Sequence, residues 1–235
     1  GDVQWMTAGK GIQHTEMFPL LNRDADNPLE LLQIWINLPQ KDKFVDPSYK
    51  MLWSEDIPVL TERDSRGATT KTMVIAGSYK GKNAVSPTPD SWAANPSHKV
   101  GIFIIEMEPG AMLNIPQAGD GVSRTIYNYR GDGLTLGDVE IPGYHQARAD
   151  ASADLEVVNG SSPSTILLLQ AKPIAEPVAQ YGPFVMNTRT EIQQAYEDYM
   201  QTRFGGWPWN RNDPVHGPEP KRFARFANGQ EELPG

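Results

Sequence analysis

Hydrophobic and polar positions in this chain alternate in short runs far more often than they recur at helical spacing. Residues 3–6 (VQWM) open in strand-like fashion, and beyond Gly9 and Gly11 residues 12–17 (IQHTEM) predict a second short strand. Residues 22–28 (NRDADNP) carry turn chemistry. Residues 31–38 (LLQIWINL) predict a strand whose alternate side chains face opposite sides of a sheet. From 39 to 58 Lys, Asp, Pro and Ser take over, and Pro39, Pro47 and Pro58 interrupt any long element, so this stretch reads as a linker between two β units. Further strands are predicted at 70–76 (TKTMVIA), 100–107 (VGIFIIEM), 123–129 (SRTIYNY), 155–158 and 165–171 (TILLLQA). Gly, Pro and Asp turns such as 131–133 separate them. Many short strands at this spacing predict an all-β sandwich or barrel.

One segment reads as a helix. Thr188 with Glu191 three residues later matches a capping box, and Ile192, Ala195, Tyr196, Tyr199 and Met200 fall on one helical face. Gly205 and Gly206 mark its end. Residues 207–235 lack periodicity and read as an extended tail. Its aromatics Trp207, Trp209, Phe223 and Phe226 are expected to pin it to the folded body, because a segment exposing four large aromatics would be costly.

Composition narrows the chemistry. The 235 residues include no Cys, which removes disulfide scaffolds, Cys-ligated zinc, iron–sulfur clusters and cysteine nucleophiles. A net charge of -8 makes the chain a poor ligand for phosphate backbones, so no direct nucleic-acid partner is expected. No window approaches the roughly 18 apolar residues of a membrane helix, and no basic segment precedes an apolar run at the N-terminus. The expectation is a cytoplasmic protein with no membrane partner.

The four histidines, His14, His98, His145 and His216, include no HxH, HxxxH or HExxH pair. His14 and Glu16 lie two apart in a strand pattern, so their side chains share a face. Such an imidazole and carboxylate form half of a mixed nitrogen and oxygen site of the type that suits non-haem iron once a second His is supplied; the same spacing is also common on exposed strands that hold nothing. His98, His145 and His216 read as solvated loop residues. Trp5 and Met6, just before the His14 strand, read as core, with pocket lining as the alternative. Residues 7–11 (TAGKG) suit a tight turn better than a phosphate cradle, and no P-loop, GxGxxG or GxSxG is present. Asp56, Glu62 and Asp64 read as a solvated linker face.

The run GDVQWMTAGKGIQHTEM over residues 1–17 resembles the signature of the pirin family, two-barrel members of the cupin superfamily. The likeness continues through 32–39 (LQIWINLP), 47–49, 54–58 (SEDIP) and 181–188 (YGPFVMNT), and 207–217 (WPWNRNDPVHG) is similar to the extension of microbial pirins. The resemblance implies a bicupin in which residues 1–58 are the C-terminal part of a metal-binding first barrel plus linker. Residues 59–180 would form a second, metal-free barrel, and residues 181–235 the helix and tail. It further implies one metal, iron or another divalent ion, held by three His and one Glu, with His14 and Glu16 as two of the four ligands. The other two would belong to an HxH motif upstream of Gly1, in a run resembling HPHRGFET. The chain opens in mid-strand without cap or lead-in and reads as cut, so the site is expected either to be completed by a preceding segment or to be empty. Residues 109–117 (PGAMLNIPQ) carry no HxH, which accords with a metal-free second barrel. The activity implied is a flavonol (quercetin) 2,3-dioxygenase acting on a small aromatic substrate, with His14 and Glu16 catalytic. The alternatives are a non-catalytic, iron-dependent regulatory or protein-interaction module, and a metal-free remnant.

Overall fold

The computed structural model of the chain describes residues 1–18, 20–212 and 221–235. It separates into two compact units, one of Gly1–Trp5 with Leu52–Ile174 and one of Met6–Met51 with Ala175–Gly235. Strands β1 (Val3–Thr7) and β2 (Ser48–Leu52) form a two-stranded sheet. The stretch expected to be a linker therefore contains a strand, preceded by a 3-10 turn at Gln40–Asp42.

The first unit holds strands β3 (Val59–Arg63) and β4 (Thr69–Ala76), then the small hairpin β5 (Ser78–Tyr79) and β6 (Lys82–Asn83). It continues through β7 (Gly101–Met107), β8 (Met112–Ile115), β9 (Ser123–Arg130) and β10 (Gly133–Leu136). Strands β11 (Val139–Pro142), β12 (His145–Asp150), β13 (Leu155–Asn159) and β14 (Ser164–Ala171) complete it. Two antiparallel sheets result, one in the order β12-β9-β14-β7-β4-β3 and one in the order β11-β10-β13-β8. Strand β14 reads as an unbroken apolar run because it lies between β7 and β9, so Leu167 as well as Leu168 is buried. The two inner faces share a core of Val74, Phe103, Ile105, Ile126, Leu134, Val157, Ile166 and Leu168. Leu113 and Ile115, from the segment without an HxH, belong to this same core. Strands β3 and β12 carry too many polar residues to stand out in the hydrophobic pattern and form against the longer β4 and β9, while the four-residue strands β10 and β11 pair with each other.

Short polar side chains tie the loops of this sheet pair together. Asp64 accepts from the Arg66 and Ala68 backbone N–H groups through one oxygen and from the Met112 N–H through the other, joining the β3–β4 turn to the start of β8. Far from being a solvated linker residue, Asp64 is a turn lock, and those hydrogen bonds, chiefly from Met112, hold its carboxyl below the usual carboxylate range. Glu62 also leaves the expected linker face: it stands on β3 and pairs with Lys80 at 2.7 Å. Asn159, 4% exposed, donates through its amide to the carbonyls of Met107, Glu108 and Ser162.

The second unit is built around helix α1 (Arg189–Thr202), entered from the hairpin β15 (Ala179–Tyr181) and β16 (Phe184–Met186). The capping box forms as the sequence predicts: the Glu191 N–H donates to Thr188 Oγ1, and Glu191 Oε2 accepts from the Thr188 N–H. Lys43 is buried beside this helix start and bonds to Asn37 Oδ1; burial lowers its pKa while Glu176 and Glu191 raise it. Glu176 in turn accepts from the Gln40 N–H and the Asn187 amide, so residues 37–43 are fastened to the start of the helix. On the expected apolar face Ile192 is buried, whereas Met200 is 67% exposed and takes no part in the packing.

Two predicted strands are absent. Residues 12–17 and 31–38 have no strand assignment, and among the described residues no strand pairs with them. Their sequence has strand character, but a strand persists only where a neighbour takes its backbone N–H and C=O groups. Leu31 and Trp35 remain 55% exposed as a result. The tail is not wholly extended. Strands β17 (Ala224–Arg225) and β18 (Glu231–Glu232) make a hairpin closed by Glu231 with Lys221 and Arg225, and Phe226 packs edge-on against Tyr49.

Replacing Asn159 by Ala removes one donor from three carbonyls and is expected to cost about 2–4 kcal/mol, read as a lower urea midpoint at unchanged slope. Because the folded-state pKa of Asp64 is depressed, its contribution is present above the unfolded Asp value of about 3.9 and is lost as pH falls through the lowered folded value. Urea midpoints at pH 5 and pH 3 should therefore differ less in Asp64→Asn than in the parent protein.

Candidate functional site

The residues leading to His14 are set by backbone geometry. Residues 7–11 form the tight turn that their glycines predict, with the Gly11 N–H donating to the Ala8 carbonyl and the Lys10 N–H to the Val45 carbonyl. Gly9, at φ +49°, lies so near the Val45 carbonyl that a Cβ there would sit 2.0 Å from its oxygen. Trp5, before the turn, is buried at 8% exposure and serves as core, while Met6 is half-buried.

Beyond the turn, the segment seats on the C-terminal end of α1. The helix ends at Arg203 in the left-handed region (φ 51°), and Phe204 adopts the same conformation (φ 50°). The expected stop at Gly205 and Gly206 is thus reached two residues early, with two non-glycine residues carrying the strain. Phe204 packs edge-on against Phe184 and at a tilt against Tyr199, at centroid distances of 5.8 and 5.2 Å. Gly11 lies on that ring, where a Cβ would come within 2.5 Å of it. Gln13 donates its side-chain amide to the Arg203 carbonyl at 2.6 Å, satisfying a group that the helix end leaves open.

So anchored, His14 and Glu16 approach each other: His14 Nδ1 lies 3.9 Å from Glu16 Oε1. That distance exceeds a hydrogen bond, so neither group is consumed by the other. Both side chains are about one-third exposed. An imidazole nitrogen and a carboxylate oxygen at this spacing have the donor chemistry of a mixed nitrogen and oxygen metal centre. Two donors make half of such a centre, and among the described residues no group of three or more His, Asp or Glu could hold a metal. His14 also lines a groove of about 320 Å³ with Ile12, Gln13, Thr15, Trp207 and Asn212.

The remaining described histidines, His98 and His145, are engaged locally. His98 is half-buried: its ring stacks on Trp92 at 3.3 Å, and its Nδ1 contacts the Trp92 carbonyl. His145 opens strand β12 rather than lying in a loop, with Nδ1 on the Gly143 carbonyl. His216 lies outside the described residues. The groove residues Trp207 and Asn212 were invisible to spacing arguments because nearly 200 positions separate them from His14; the Gly-Gly-Trp step after the helix was the available signal.

Comparison with known proteins agrees with this frame. Residues 102–205 match the family described as "Pirin C-terminal cupin domain", and residues 1–36 match the family described as "Pirin". A pirin-like protein of Solanum lycopersicum is 36% identical over 212 residues, covering 87% of this chain and 65% of the relative. A Pseudomonas aeruginosa protein provisionally named a quercetin 2,3-dioxygenase is 33% identical over 206 residues, covering 87% and 67%. The chain thus spans about two thirds of the length of the relatives it matches. Among solved structures, a quercetin 2,3-dioxygenase from Acinetobacter baumannii superposes with a TM-score of 0.66 at 24% identity, covering 87% of this chain and 67% of that one, a likeness of fold. With the two family matches and a relative 33% identical over 206 residues, the chain belongs to the pirin family of cupin proteins.

Proposed function

We propose that this protein takes part in the oxidative opening of flavonol-type substrates, as a quercetin 2,3-dioxygenase with a mononuclear non-haem iron. The observation that carries the reading is the convergence of His14 and Glu16 to 3.9 Å on a segment matched by the family, together with the relative provisionally named for this activity. In this reading the two side chains are metal ligands, and the further donors come from outside the 235 residues. When bound, the metal would supply the activation of dioxygen that protein side chains alone do not provide.

The chain's own part is positioning and proton handling. The Gln13 amide on the Arg203 carbonyl holds the segment in place, so the imidazole of His14 is presented without a large ordering cost. Glu16, which makes no hydrogen bond to His14, has an oxygen available to accept the proton of a substrate hydroxyl. In the first unit the sheet interior is packed with aliphatic and aromatic side chains, so it acts as scaffold and the chemistry is assigned to the His14 segment. No helix among the described residues is long and apolar enough to cross a membrane.

Oxygen uptake with quercetin by the iron-loaded full-length protein, including the segment that supplies the further donors, tests the proposal. The parent protein is expected to consume oxygen, and His14→Ala to lose at least about 100-fold in rate together with its iron, measured by elemental analysis. Uptake that is absent from the parent protein, or unchanged in His14→Ala, would overturn the assignment. Gly11→Ala is expected to lower the rate through displaced geometry, because its new methyl group would collide with the Phe204 ring while both candidate ligands remain.

A further inference from the structure

The groove beside His14 has two kinds of wall. Trp207 and Ile12 offer apolar faces, and Gln13, Thr15 and Asn212 offer amide and hydroxyl groups. Its volume, about 320 Å³, is at the lower end of the range in which small organic ligands bind. Trp207 is held before any ligand arrives. Its indole N–H donates to the Arg211 carbonyl at 2.5 Å, and its ring stands edge-on to Trp209 at 4.8 Å and 70°. An indole fixed on two sides loses little freedom when a second flat ring is laid against it, and that is what makes an aromatic side chain an efficient recognition surface.

The helix is already closed by Arg203 and by the Phe204 cluster, and Trp207 follows Gly205 and Gly206, which let the chain turn back toward the His14 segment. We propose that Trp207 is the substrate-recognition wall of the His14 site, a platform on which a planar hydroxylated aromatic ring stacks while Thr15, Gln13 and Asn212 meet its hydroxyl groups. Trp207 is thereby a positioning residue for substrate and takes no part in proton transfer. The inference rests on the dioxygenase reading for the choice of ligand class, while its test reads binding apart from turnover.

The test is calorimetric titration of metal-free protein with quercetin in the absence of oxygen, so that binding is read apart from turnover. Stacking on an aromatic face is worth enough that Trp207→Ala is expected to weaken quercetin about tenfold or more, with Trp207→Phe remaining within about threefold of the parent. Trp207→Leu keeps apolar bulk without a π face, and its affinity should fall well below that of the Phe variant; it also serves if the Ala variant melts early. Equal affinity in the Ala, Leu and parent proteins, or no quercetin binding by the parent, would overturn the inference. Retained Trp207-dependent binding with no oxygen uptake after iron loading would instead remove the dioxygenase reading and leave the recognition wall standing.

Discussion

The seating of residues 11–14 on the end of helix α1 is the contact from which the candidate chemistry follows. A helix end leaves carbonyls without intrahelical partners, and here the Gln13 side chain supplies a donor to one of them, the Arg203 carbonyl. Only glycine at position 11 allows the backbone to lie on the Phe204 ring. The left-handed residues Arg203 and Phe204 are strained in isolation, yet the Phe184–Tyr199–Phe204 cluster and the Gln13 bond over-determine them. Strain stored at such a place goes with a segment that must hold a fixed position, and the segment it holds carries His14 and Glu16.

The first unit and the His14 segment differ in a way that follows from their composition. The paired sheets bury Ile, Leu, Val and Phe with almost no exposure and lock their loops with single Asp and Asn side chains. Such a core gains rigidity by being full, and a full interior has no room for a ligand. The His14 segment is the reverse: half-exposed, irregular, held by a few specific bonds, and bordered by an open groove. Recognition and chemistry favour segments of that kind, where side chains remain accessible while the backbone is tethered.

Much of this could be read from the residues. The central strands were legible because β4, β7, β9 and β14 carry enough Val, Ile, Leu and Thr to stand out, and the helix start because Thr188 and Glu191 form a reciprocal local pair. The two-residue spacing pointed to His14 and Glu16 lying near each other, but the strand it assumed is absent, and their 3.9 Å approach arises on an irregular segment. By contrast, residues 12–17 and 31–38 carry strand-like patterns without becoming strands, since pairing depends on a neighbour that the pattern does not specify. Asp64 was misread for a related reason: a lone acid before a turn says nothing of the Met112 N–H that completes its role, 48 positions away.

The sequence by itself determined the all-β class, the capped helix, the absence of thiol chemistry and the family, because each rests on residue type or short-range spacing, where chain geometry leaves few choices. Only the tertiary structure decided that the His14 segment rests on Arg203 and Phe204, that the acidic residues of the β3 region are structural ties, and that Trp207 borders the same groove as His14. Those facts join positions up to about 195 residues apart. Contacts at such separation are settled by packing and by the need to satisfy buried or terminal polar groups, and neither is encoded in any local pattern.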